Sequence, residues 1–150
     1  MTDLDIKRLD GAAGDAELEA WRYVHNTIIP THHLTLDDVR ERAVRNHLEL
    51  AHVDGVLVGN STVRPPEGDS ATATVIARVL AGHRRLGYGE QLYERALRRA
   101  RELGALVIET CVLESNEDGL RFALAHGFVE IERYRLDGDT IPWIDLRLEG

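Results

Sequence analysis

Polar and apolar residues alternate from Asp3 to Leu9, with Leu4, Ile6 and Arg8 on one side and Asp5, Lys7 and Leu9 on the other, which predicts a first strand. From Asp15 to Asn26 the repeat lengthens, and Leu18, Trp21, Arg22 and His25 recur at helical spacing. A second helix is predicted from Thr35 through Val39, Ala43 and His47, with Thr35 and Asp38 forming a capping pattern in which Asp fills the acidic place. Between the helices lies Ile28-Ile29-Pro30-Thr31-His32-His33, too apolar and too rich in His to be plain linker.

From Leu48 the period is two. Leu48, Leu50 and His52 lead into an Asp54-Gly55 turn, Val56, Val58 and Val63 lead away from it, and together they read as a hairpin. Pro65 to Asp69 predicts a second turn, and Ala71 to Leu80 a third antiparallel strand. After a Gly-rich segment, Leu92, Ala96, Ala100 and Leu103 mark a helix that Gly104 stops. Ala105 to Leu113 is a strand, Ser115-x-x-Asp118 caps a short helix that Gly127 ends, and strands Phe128 to Leu136 and Trp143 to Leu148 flank an Asp137-Gly138-Asp139 turn. The unit from Ala71 to Leu113 has room for a right-handed crossover between parallel strands. The pattern predicts one α/β (α+β) domain over residues 1–150, a mixed sheet of six to seven strands with helices on both faces.

Composition narrows the partners. At 150 residues and 43% hydrophobic the chain is sized for one core. Apolar stretches such as Ala105 to Ile108 fall far short of the roughly 20 residues of a membrane helix, and the start from Met1 to Asp5 is acidic where a signal peptide is basic. The lone cysteine, Cys111, leaves no internal disulfide, so a cytoplasmic protein with no membrane partner is expected. A net charge of −8 argues against nucleic acid. Residues 84–104 hold six Arg against three acids, a local +3, so the rest of the chain carries −11. The basic island suits a bound anion, and the acidic body a cationic second partner.

The informative stretch runs from Val79 to Glu90, between a strand and a helix. Two glycines there allow close backbone approach, and the first-turn amides of the next helix lack partners inside it, so a phosphate or pyrophosphate would satisfy them. Arg84, Arg85, Arg95, Arg98 and Arg99 supply positive field, although the last three also fit a solvated helix face. A dinucleotide site needs a third small residue where Leu92 stands, even though Glu109 lies where a ribose-binding acid would. A phosphate-binding Gly-Lys-Ser/Thr loop is absent, and Lys7 is the only lysine.

Arg84-x-x-Gly87-x-Gly89, after a strand ending in Val79, resembles the acyl-CoA-binding motif of the GNAT superfamily of N-acetyltransferases. Asn116, Phe122 and Gly127-Phe128 are similar to that family's second motif, and the order of elements agrees along nearly the whole chain. The resemblance implies a sheet splayed between its fourth and fifth strands and acetyl-CoA as co-substrate, without a metal. It implies that Val79, Leu80 and Ala81 offer main-chain groups to the pantetheine arm. Amides of Arg84, Arg85, Leu86, Gly87, Tyr88, Gly89 and Glu90 would cradle the diphosphate, and Asn116 would touch the arm or its thiol end, unless it only caps its helix. It also implies a homodimer, with the C-terminal strands as its surface.

The catalytic positions depart from the family. Ala73 stands where many members carry a glutamate, and Ala123 where they carry the tyrosine that acts as general acid. Glu109, roughly 7 Å along its strand from Cys111 and on the same face, is the candidate base, with an ion pair to Arg78 as its other reading. Tyr134 or Ser115 is the candidate proton donor, while Cys111 reads better as core than as nucleophile. His25, His32 and His33 surround the loop that overhangs the acceptor site in this family and are candidate substrate-binding residues; as a zinc site they lack an established ligand spacing. The expected activity is acetyl transfer to a primary amine, a small and cationic one, by direct attack in a ternary complex. A non-catalytic acyl-CoA sensor is the alternative.

Overall fold

The computed structural model describes residues 4–149, so the Asp3 start of the predicted first strand lies outside the described residues. One sheet holds β1 (Asp5–Leu9), β2 (His47–Val53), β3 (Val56–Glu67), β4 (Thr72–Val79), β5 (Val107–Leu113), β6 (Phe128–Tyr134) and β7 (Trp143–Leu148), in the order β1-β2-β3-β4-β5-β7-β6. Every neighbouring pair is antiparallel except β4 and β5, which the crossover makes parallel. Helices α1 (Asp15–Ile28) and α2 (Leu36–Arg45) pack on one face, α3 (Tyr88–Glu102) and α4 (Glu117–Ala125) on the other.

Alternation along each strand feeds both layers. Ala73 and Val75 of β4 and Ile108 and Val112 of β5 meet Tyr93, Ala96 and Ala100 of α3, while Leu48 and Leu50 of β2 meet Leu18, Trp21 and Val39 on the opposite face. Thr35 and Asp38 form the predicted capping box, each side chain accepting from the other's amide at 3.1 and 2.9 Å.

Three local expectations change. Pro65 and Pro66 lie inside β3, at a register shift against β4, and the chain turns at Gly68 to Ala71; a residue without an N–H is tolerated where the ladder is already interrupted. His47 opens β2 instead of closing α2. Asn116, not Ser115, caps α4, accepting from the Gly119 amide at 3.1 Å.

The splay is where function can enter. β4 pairs with β5 only over Thr72–Thr74 against Val107–Glu109, yet it stays paired with β3 up to Val79. Beyond Thr74 the two parallel strands part, and the upper half of β5 is held by β7 alone.

Candidate active site

A cavity of about 410 Å³ fills the gap between the parted strands, bounded by Val75 to Val79 of β4, Thr110 to Leu113 of β5, the start of α3, and α4. Gly87 caps α3 in the left-handed region, φ 85°, which aims the helix axis at the gap. The first intrahelical bond of α3 runs from the Gln91 amide to the Gly87 carbonyl at 3.2 Å, so the amides of Tyr88, Gly89 and Glu90 carry the positive end of the helix unspent. Gly89 lines the cavity, and a Cβ there would stand 3.6 Å from both Phe122 and Val79, inside the cleft mouth. Those are ordinary contacts, so folding does not demand glycine at 89. A diphosphate fits this cradle.

Arg84 shapes the loop. Its Nε donates to the Val79 carbonyl at 2.9 Å and its guanidinium pairs with Asp118 of α4 at 2.9 Å, so it ties both walls together. Arg85, exposed and at φ 65°, is the loop arginine left at the cavity edge. Leu80, Ala81, Leu86 and Tyr88 contribute no lining; Leu86 is exposed and Tyr88 packs against the cluster of Ala51, Val58 and Leu92.

Of the main-chain groups the resemblance implies, those of Leu80 and Ala81 already have partners within the chain. The Leu80 amide donates to Val58 at 2.9 Å and its carbonyl accepts from His83 at 2.9 Å, while the Ala81 carbonyl accepts from Arg84. Because Leu80 is bonded toward β3, alternation turns the amides of Val79 and Ala77 toward the parted edge. Tyr93, Phe122, His126 and Phe128 build an aromatic wall on the α4 side, with Phe122 and His126 stacked 4.0 Å apart. His126, which sequence reasoning passes over, donates Nδ1–H to the Phe122 carbonyl at 2.8 Å and leaves Nε2 toward the cavity and Glu90. Asn116 borders the same cavity, but its side-chain oxygen is engaged in the cap.

On the α1–α2 face a second cavity of about 300 Å³ meets the first at Ile76, Arg78 and Cys111, which line both. His25, His32 and His33 all border it. His25 stacks on Trp21 and its Nε2–H donates to the His32 carbonyl at 2.9 Å, leaving Nδ1 buried without a partner; burial first, then the Arg78 charge, lowers it to about 4, so it is neutral at pH 7. The His32 Nε2 faces both Trp143 Nε1 at 3.2 Å and Asp139 at 2.9 Å. Tyr134 lines this cavity and donates to Asp145 at 3.0 Å, and burial together with that carboxylate pushes its phenol above the ordinary value. Asp145 is itself raised, by burial first and by the nearby charges of Glu132 and Glu109.

Glu109 borders neither cavity. Arg147 of β7 holds it at 2.7 and 3.0 Å, which replaces the ion pair with Arg78 that adjacency of strands predicts. Cys111 stands at the junction, where burial raises its thiol and keeps it protonated, unsuited to nucleophilic attack. Arg95 is structural: it binds Glu49 through two bonds of 3.1 and 3.0 Å, and although burial alone would raise Glu49, the bonds from His47 and Arg95 hold it at about 2. The lining of the second cavity also reverses the charge expected of it. Arg42, Arg64 and Arg78 face in, and no carboxylate does among the described residues, whereas a cationic acceptor would need the opposite.

The geometry agrees with what known proteins display. The family model described as acetyltransferase (GNAT) family matches residues 14–128. A provisionally named phosphinothricin N-acetyltransferase superposes with a TM-score of 0.76 at 23% identity, over 98% of each chain. Salmonella typhimurium yncA, solved with its cofactor acetyl-CoA, gives 0.74 at 17% identity over 97% of this chain and 93% of that one. An acyl-CoA N-acyltransferase from Pseudomonas aeruginosa gives 0.72 at 22% identity over 98% and 100%. No curated protein matches the chain in sequence. With the parted β4 and β5, the open helix start beside them and a family match from the start of α1 to the start of β6, the chain belongs to the GNAT family of acetyltransferases.

Proposed function

We propose that the protein transfers the acetyl group of acetyl-CoA to a primary amine by direct attack, with both substrates bound together. The observation that carries this reading is the meeting of two cavities at Ile76, Arg78 and Cys111, one ending at a helix N-terminus and the other lined by polar side chains. Acetyl-CoA supplies an acetyl carbon activated as a thioester. The Tyr88, Gly89 and Glu90 amides bind its diphosphate, helped by Arg85, and the Val79 amide binds the pantetheine arm. Ala77 lies between the two β4 residues that line both cavities, so its amide is the donor for the thioester oxygen.

The amine enters from the α1–α2 side, with His32 and His33 at the cavity border. Its proton passes to the Tyr134 oxygen as the Tyr134 proton passes to Asp145, whose raised affinity for protons suits an acceptor. Glu109 acts through its charge on Asp145. The thiol of CoA leaves without a dedicated acid, since Ala123 supplies none. The lone cysteine fits a reducing compartment, and we assign the protein to the cytoplasm.

Thiol release from acetyl-CoA, measured over an amine panel, tests the reading. Tyr134→Phe and Asp145→Asn should each lower kcat/KM by about 10²-fold. The acid limb of the pH profile, shifted upward from the ordinary aspartate value because the folded Asp145 is raised, should vanish in Asp145→Asn. Unchanged rates in both variants would remove the relay. Tight CoA binding with no thiol release for any amine would favour the non-catalytic binder.

A further inference from the structure

The second cavity carries a charge pattern that acetyl transfer alone does not explain. Arg42 comes from α2, Arg64 from β3 and Arg78 from β4, and their guanidinium groups converge on one space in a chain whose net charge is −8. Arg78 is 9% exposed. Among the described residues none of the three has an ion-pair partner. Burial, and then the charges of the other two, weakens the hold of Arg78 on its proton. Asp38 acts on Arg42 through its charge from one turn away, Asp145 acts likewise on Arg64 while engaged by Tyr134, and Asp139 is engaged by His32. Arg78 is the buried member of the three, with Arg42 half-buried and Arg64 exposed at the cavity mouth, and a buried guanidinium without a partner is unfavourable unless an anion completes the site.

We propose that the acceptor carries an oxyanionic group, a carboxylate, phosphinate or phosphonate, which Arg42, Arg64 and Arg78 hold while its amine points to the Cys111 junction. Planar guanidinium forks match oxyanions bidentately, and the Thr62 hydroxyl on the same wall adds a donor. The same positive field disfavours an ammonium ion, so a bound amine loses its proton more readily. This rests on the acetyltransferase reading for the amine, whereas the anion site stands on the arginines themselves.

Initial thiol release is measured for L-α-amino acids, aminoalkylphosphonates, the matching α-amino carboxamides and simple diamines. The acids are expected to exceed the neutral amides and diamines by at least about 10²-fold in kcat/KM, and the carboxylate and phosphonate arms identify the oxyanion. Arg64→Gln and Arg42→Gln should raise KM for the preferred acid about tenfold or more while CoA affinity, read by calorimetry, holds. Amides or diamines turned over as well as acids, or unchanged KM in both variants, would overturn the proposal. If no acceptor releases thiol, the acetyltransferase reading fails and titration with glutarate decides the anion site alone. Quenching of the cavity-wall Trp143 that is lost in Arg64→Gln supports the site, and absence of quenching in the parent protein overturns it.

Discussion

His25 is held in its neutral form by its surroundings, and this has a consequence for stability. Its folded pKa, about 4, lies below the ordinary 6.5, so the unfolded chain takes up a proton that the folded chain refuses. Stability is therefore full above pH 6.5 and declines as pH falls toward about 4, by a loss on the order of 3 kcal/mol. Urea titrations across that range should show the decline in the parent protein and a flatter profile in His25→Phe; parallel profiles would contradict the assignment. Local spacing reveals such residues unevenly. The histidines around the first interhelical loop stand out in sequence and do meet at one cavity. The face of Glu109 is also legible, but its partner Arg147 lies 38 residues away, and only the fold decides that contact. The convergence of Arg42, Arg64 and Arg78 escapes local pattern because they belong to three elements. Arg78 alone left a trace, as the one charge in the otherwise uncharged run from Ala71 to Leu80.

Elements inherit most of their order from patterns that are short in range. The turn at Asp54-Gly55, the capping box at Thr35 and the helix stop at Gly104 are each written in a few residues and are found as written. Pro65 and Pro66 mislead for the same reason: a local rule reads them as a turn, whereas β3 absorbs them at a break in its ladder. Asn116 is the case where element and site compete. Its oxygen caps α4 while its residue borders the cavity between the parted strands. Asn116→Ala should cost about 1 kcal/mol of stability by loss of the cap, and Asn116→Asp should keep it. Comparing CoA affinity in the two separates the roles: affinity that follows only melting temperature marks a cap, and affinity lost in the stable Asp variant marks a ligand contact.

Across the whole molecule the sign of charge depends on where it is counted. The chain sums to −8, yet the fold gathers three arginines, two from the sheet and one from α2, around one cavity and leaves a helix start open on the other. Net charge therefore describes the body and not the lining of the second cavity, where three arginines and, among the described residues, no carboxylate face in. Among the described residues no helix is long and apolar enough to cross a membrane. The splay between β4 and β5 is likewise a whole-molecule property: it follows from β4 staying with β3 while β5 follows β7, and no local pattern in either strand announces it.

The proposed seat of the diphosphate is most directly tested at Gly89, since Gly87 at φ 85° would be strained by any side chain and would confuse folding with binding. Calorimetric titration of Gly89→Val with CoA, beside its melting curve, should show a folded protein whose affinity has fallen at least a hundredfold, because the added methyl groups occupy the mouth of the cleft between Phe122 and Val79. A folded Gly89→Val protein that binds CoA as tightly as the parent would contradict the account.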